Sequence, residues 1–216
     1  MKEPAEAPVP KQLTLGVCPG VEGLNIYPFD AVFKERKFLS GPDDVKNVDA
    51  VILWGGTDIG AGYYGEKPSA MNQQQNPQGS QRDAFEWSII KAAHGLQKPI
   101  IGVCRGAQFL CAAAGGKLVQ HMDKPHRGTH QIWVSGVKMH AACDHHQRLV
   151  ITNVKDSALL AWHDDGTPEV VYFPHLRALA IQPHPEWMGA SSEFVLWCVD
   201  KVEQLMANNI TQEIVV

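Results

Sequence analysis

Three short apolar runs in the first half of the chain, "LTLGVC" at 13–18, "DAVILW" at 49–54 and "KPIIGVC" at 98–104, carry almost no polar positions. That pattern belongs to strands buried on both faces, as in a parallel sheet. Between the second and third runs, Phe85, Ile89, Ala92, Ala93 and Leu96 recur at helical spacing, and Gly95 with Pro99 closes that helix before the next strand. Strand, helix and strand in that order make a βαβ unit. Later in the chain the rhythm changes: "HQIWVSGV", "RLVITNV", "EVVYFP" and "RALAIQ" crowd together as strands. A final helix carries Val195, Cys198, Val199, Val202, Leu205 and Met206 on one face. The pattern predicts an α/β fold with an open, mostly parallel sheet flanked by helices and an antiparallel addition in the C-terminal half.

Composition narrows the function classes. At 216 residues, 44% of them hydrophobic, the chain has enough apolar material for one domain, expected to span 13–216, with no internal repeat. Residues 1–12, "MKEPAEAPVPKQ", are expected to hang loose, and the polar stretch 69–83 is expected to be a surface loop leading into a helix and lining a site entrance. With 19 basic against 23 acidic residues and a net charge of -4, there is no basic stripe for a phosphate backbone, so a nucleic-acid partner is not expected. The chain has neither a signal-like apolar stretch at its start nor a run long enough to span a bilayer, so no membrane partner is expected. Five cysteines with no repeated short spacing suit a reducing compartment, and a cytoplasmic location follows.

Chemistry enters at Gly102-Val103-Cys104-Arg105-Gly106. G-x-C-x-G is the thiol counterpart of the G-x-S-x-G elbow, in which small flanking residues permit a strained strand-to-helix turn that exposes a nucleophile. At a helix N-terminus the free N–H groups and the dipole favour a thiolate, and the N–H of Arg105 would face an oxyanion on the substrate. Taken alone, the motif also fits a cysteine that is merely a small buried hydrophobe. A second signal lies in "IQPHPEW", where His184 and Glu186 bracket a proline after a strand. An imidazole held by a carboxylate is a general way to activate a thiol, although a histidine in such a place is more often a surface or core residue.

Together, "PIIGVCRGAQ" and "IQPHPEW" resemble the class I, triad-type glutamine amidotransferase superfamily, whose hallmark is a G-x-C-x-G-x-Q elbow followed at a distance by H-P-E. "WGGTDIGAGYYG", "RDAFE", "GGKLVQH", "DHHQ" and "DGTPE" fall in the family's order, and "HPEW" followed by "SSEFVLW" is similar to the peptidase C26 branch, which contains γ-glutamyl-γ-aminobutyrate hydrolase. The resemblance implies a flavodoxin-like sheet and no cofactor. It implies that Cys104 attacks the γ-carbonyl of a glutamyl amide, that His184 shuttles the proton and that Glu186 orients His184. It also implies an oxyanion hole from the backbone N–H groups of Gly56 and Arg105, with Gln108, His145 and His146 at the substrate. The expected partner is a small-molecule γ-glutamyl substrate. The expected function is a stand-alone hydrolase of a γ-glutamyl amide bond, with two alternatives: a glutaminase subunit that passes ammonia to a separate synthetase, and a non-catalytic binding or scaffold member. The leaving amine and the oligomeric state are not written in the sequence.

The chain also departs from the family pattern. Ala61 and its neighbouring glycines stand where that family usually has a proline, and few residues separate the first strand from "DAVILW", so the early sheet is expected to be rearranged. The segment 121–146 is rich in histidine, and His140-x-x-Cys143-x-His145 has ligand types that suit zinc, but its spacing fits no strong metal signature and no metal is expected. Arg82 and Asp83 are open between a solvated helix start and a structural or substrate-loop role.

Overall fold

The computed structural model describes residues 12–20 and 25–210. The expectation for residues 1–12 therefore lies outside the described residues, apart from exposed Gln12. Among the described residues a nine-stranded sheet runs in the order β2-β1-β3-β4-β11-β10-β9-β6-β7. Its first half is parallel: β2 (Glu35–Phe38), β1 (Thr14–Val17), β3 (Ala50–Leu53), β4 (Ile100–Val103) and β11 (Ala178–Ile181). From β11 onward the pairing is antiparallel through β10 (Pro168–Phe173), β9 (Ala158–Trp162), β6 (His126–Val134) and β7 (Val137–His145). The expected α/β class, with its antiparallel addition, is what the chain adopts. A separate pair joins β5 (Lys117–Val119) to β8 (Arg148–Val150).

Each face of the sheet holds a core. Helices α1 (Gln81–Gly95) and α2 (Arg105–Ala113) cover one face, where Ile89, Ile90, Phe109 and Leu110 pack with Val51, Leu53 and Ile100. Helix α3 (Glu193–Met206) covers the other, laying Phe194, Cys198, Val202 and Leu205 on Leu15, Ile52, Ile101 and Ile181. The side chains of a doubly covered strand are buried in both directions, which is why β3 and β4 read as unbroken apolar runs.

Two of the expected strand runs differ from the structure. "HQIWVSGV" is not one strand: Ser135 and Gly136 both have positive φ, 50° and 81°, and make the tight turn between β6 and β7. "RLVITNV" yields only β8, outside the large sheet. Between β1 and β3 the described residues contain the edge strand β2 and short 3-10 turns at Phe29–Ala31 and Pro42–Asn47, with no α-helix.

Candidate active site

The sharp end of β4 sets the site. Cys104 follows Val103 directly and precedes the first residue of α2, with φ 51° and ψ −107°, a backbone conformation that non-glycine residues seldom adopt. The flanking glycines make this turn possible by close approach. A Cβ on Gly106 would lie 2.2 Å from the Leu53 carbonyl oxygen, and one on Gly102 would lie 2.6 Å from the Gly106 carbonyl. Strand and helix thus meet backbone to backbone, and the thiol is held at the rim of a cavity of about 490 Å³, lined in part by Gly55, Gly56, Asp58, Gln108, His146 and His184.

The imidazole arrives from the next parallel strand. β11 pairs in register with β4, Ile181 opposite Val103, so the turn after β11 emerges beside the turn after β4. The His184 N–H donates to the Ala142 carbonyl at 2.7 Å, Nδ1 lies 2.6 Å from Glu186 Oε1, and the ring stacks on Trp187 at 3.6 Å between centroids. Burial opposes a charge on His184, but hydrogen bonding to Cys104 and Glu186 and the fields of both groups prevail, pushing the imidazole up to about 10. A protonated imidazole beside the thiol is the result. By contrast, burial pushes Cys111 up to about 12, and Cys18, Cys143 and Cys198 are likewise held as thiols.

The Gly55-Gly56 loop is fixed from below. Arg82 donates to the Gly55 carbonyl at 3.0 Å and to the Trp54 carbonyl at 2.8 Å, and pairs with Glu86 at 2.8 Å. Glu86 and Asp83 in turn bind the buried guanidinium of Arg105, while Asp83 completes a capping box with Ser80 at the start of α1. Arg82 and Asp83 are therefore structural residues under the site, which settles the alternative left open by the sequence. Sequence reasoning assigned Arg105 only a backbone role and overlooked Glu86; the Arg-x-x-x-Glu spacing on a helix was the available signal. Any side chain on Gly56, where φ is 147°, would drive into the anchored Arg82 guanidinium, 2.5 Å from its Cβ position.

The far wall joins loops distant in sequence. His146 Nε2 meets Asp58 Oδ1 at 3.0 Å, and Asp58 Oδ2 accepts the Gln73 N–H at 2.8 Å. Gln73, from the polar 69–83 stretch, lines the cavity. Asp58, Gln73, Arg127 and Asp144 line the cavity but were not singled out from the sequence. Gln108 lines it too, with its Nε2 at 3.4 Å from Gln182 Oε1. His145 reaches the same cavity but turns its Nε2 toward Glu169. His140 is not part of this arrangement: it alternates with buried Ala141, Cys143 and His145 along β7 and is exposed, which dissolves the His140, Cys143, His145 trio.

Comparisons with known proteins bear on the family and the fold. The family model described as Peptidase C26 matches residues 42–141. YvdE of Lactococcus lactis, named glutamine amidotransferase-like, is 31% identical over 176 residues, covering 70% of this chain and 73% of that protein. A Mycobacterium tuberculosis protein, by name a glutamine amidotransferase, is 30% identical over 65% of this chain, and the match spans 51% of its own length. Among solved structures, a glutamine amidotransferase from Thermotoga maritima superposes with a TM-score of 0.62 at 13% identity, over 94% of this chain and 87% of that one. A Thermoplasma acidophilum protein, described as one of the subunits of a GMP synthase, gives 0.61 at 15%, over 92% and 96%. At these identities the two structures speak for the fold.

Proposed function

The chain belongs to the class I glutamine amidotransferase superfamily, in its peptidase C26 branch, and from that premise we propose that it hydrolyses a γ-glutamyl amide bond by thiol chemistry at Cys104. The observation that carries this reading is the meeting, at one cavity, of a thiol on a strained strand-to-helix turn with an imidazole held by Glu186. In the reaction the Cys104 thiolate attacks the γ-carbonyl carbon, and the N–H groups of Gly56 and Arg105 receive the oxyanion. The His184 imidazolium gives its proton to the departing amine as the C–N bond breaks, leaving a glutamyl thioester and neutral imidazole. Water then loses a proton to His184 and adds to the thioester carbonyl, and glutamate departs as the thiolate re-forms. Gln108 and His146 contact the substrate, with His145 behind them. Arg127 and Asp144, 3.8 Å apart, bring one charge of each sign to suit an amino-acid headgroup.

A stand-alone hydrolase is the form this reading favours. A glutaminase that waits for its synthetase often has no ordered oxyanion hole until the partner docks. Here Arg82 ties the Gly55-Gly56 loop to Glu86, and Asp58 ties it to His146, within one chain. The same reading takes 13–216 as one catalytic domain working in the cytoplasm, where its five unpaired cysteines stay reduced. Among the described residues no helix is long and apolar enough to cross a membrane. The test is glutamate release by the purified chain from glutamine and a panel of γ-glutamyl amines. Release without any added protein is the expected result; release only after synthetase-containing extract is added would replace the hydrolase with an ammonia-donating partner of a synthetase, and no release under either condition would leave a binding member.

A further inference from the structure

Behind the cavity wall lies a second group of chemistry-bearing side chains, of which the reaction above involves only His145. The β6-β7 hairpin pairs with β9 only at Trp133 and Val134. Toward its other end, His126 stands opposite His145 and Gly128 opposite Cys143, so strand alternation puts His126, His130, Cys143 and His145 on one face. That face meets Glu169 on β10, which has no exposed surface. His130 Nε2 lies 3.4 Å from Cys143 Sγ and 3.7 Å from Glu169 Oε1. His126 Nδ1 lies 2.9 Å from the same Oε1, and its other nitrogen lies 3.1 Å from Asp165 Oδ2.

We propose that His130, Cys143 and Glu169 form a binding site for a divalent transition-metal ion of the zinc class. Two of the three separations are close to those of ligands on a shared ion, and all three ligand atoms lie within 4.8 Å of one another. Tetrahedral zinc with ordinary Zn–S and Zn–N bonds separates a sulfur from a nitrogen by about 3.5 Å and two N/O ligands by about 3.3 Å. The observed pairs depart from those edges by a few tenths of an ångström. A second and independent observation is that Glu169 Oε2 and His145 Nε2, both buried, face each other at 3.5 Å and neither makes a hydrogen bond. A buried carboxylate oxygen that accepts no hydrogen bond and meets an imidazole only at ion-pair distance is costly, and a cation beside the carboxylate lowers that cost. Thiolate, imidazole and carboxylate together favour a borderline-soft ion over calcium or magnesium.

The surroundings match what such an ion requires. His126 donates to Glu169 and is backed by Asp165, the outer hydrogen bonding that orients ligand carboxylates. His130, with 17% of its side chain exposed, leaves an entry path. Binding would displace the Cys143 proton to solvent, making affinity rise with pH. This sets aside the expectation of no metal drawn from the linear spacing. The site's role would be mechanical: β7 also supplies the Ala142 carbonyl that holds His184, and Asp144 at the rim beside Cys104, so an ion at Cys143 would clamp the strand that both use.

The experiment loads the full chain with zinc, desalts it, and measures retained metal; cobalt(II) is then substituted and its thiolate charge-transfer absorption recorded. One equivalent and a thiolate band are expected for the parent chain and for Cys104→Ala. Cys143→Ser should lose the band, and both it and His130→Gln should lose at least about tenfold in zinc affinity. His130→Gln serves if the buried Cys143 variant fails to fold, as read by circular dichroism. Retention unchanged in the folded variants, no retention by the parent chain, or a band that vanishes in Cys104→Ala would each overturn the proposal. None of these readouts depends on turnover, so failure of the hydrolase reading leaves this test intact.

Discussion

The elbow after β4 and the corner between β6, β7 and β10 each gather a thiol, imidazole and carboxylate, yet they are built in opposite ways. At the elbow the thiol belongs to a contiguous strand-turn-helix segment, and a strained backbone holds it at a cavity, beside an imidazole kept protonated. At the corner the thiol sits within a regular strand, 1% exposed, and burial with the nearby Glu169 charge pushes it up. The same side chain serves as a nucleophile or as an inert thiol awaiting a cation, according to its place along the backbone.

The sharpest way to break this contrast is chemical labelling. Cys104→Ala should lose turnover to background and lose labelling by a glutamine-like electrophile, while Cys143→Ser and Cys111→Ala should still be labelled. Mass spectrometry that finds the label on Cys143 would erase the distinction. Next in size is the base: His184→Ala should slow turnover by about 10²–10⁴-fold. Glu186→Gln should cost less and should also move the alkaline limb of the pH profile. Glu186 raises the His184 pKa, so removing its charge lets the imidazole deprotonate at lower pH, and the limb should shift downward. An unmoved limb would show that Glu186 does not tune His184.

Backbone stability offers a smaller effect. Gly106→Ala forces a Cβ into the Leu53 carbonyl and should cost about 1–3 kcal/mol in denaturant unfolding. Gly128→Ala at the corner, with open space around it but φ of 73°, should cost only about 1–2 kcal/mol of backbone strain. If the order reversed, close packing would not be what holds the elbow. The smallest effect concerns acid. Burial disfavours the Glu169 charge, but the hydrogen bond with His126 and the neighbouring imidazoles of His130 and His145 overcome this and hold its carboxyl well below its ordinary 4.5. Its contribution to stability is therefore complete above that pH and fades as pH falls toward the depressed value. Urea midpoints measured from pH 6 down to pH 3 should fall more steeply for the parent chain than for Glu169→Gln.

The two regions also differed in how far the sequence disclosed them. The parallel half is local in its logic: β1, β3, β4 and α1 each announce themselves by burial on both faces or by helical period, and the elbow lies inside one stretch. Edge strand β2, "ERKF", shows almost no apolar pattern because it is largely exposed. Strand β9 was hidden in "ALLAW", a run as short and apolar as a turn of buried helix. The networks under and across the site were hidden for another reason. Asp83, Glu86 and Arg105 come from two helices, and Asp58 with His146 from two loops, so their pairing exists only after the chain has folded. The corner is the extreme case, since antiparallel register, not linear spacing, makes neighbours of His130, Cys143 and Glu169.

The indole of Trp187 lies parallel to the His184 ring, with 1° between the planes, while 53% of the residue faces solvent. A protonated imidazole in face contact drains the excited state of an indole, and a neutral one does so far less. The protein therefore carries its own optical gauge of the proton on its proposed base. Emission from Trp187, isolated from that of the other tryptophans by subtracting the Trp187→Phe spectrum, should brighten as pH rises through the His184 titration. A ligand that took the proton from His184 would brighten it at constant pH, so occupancy could be followed in real time without a chromogenic substrate.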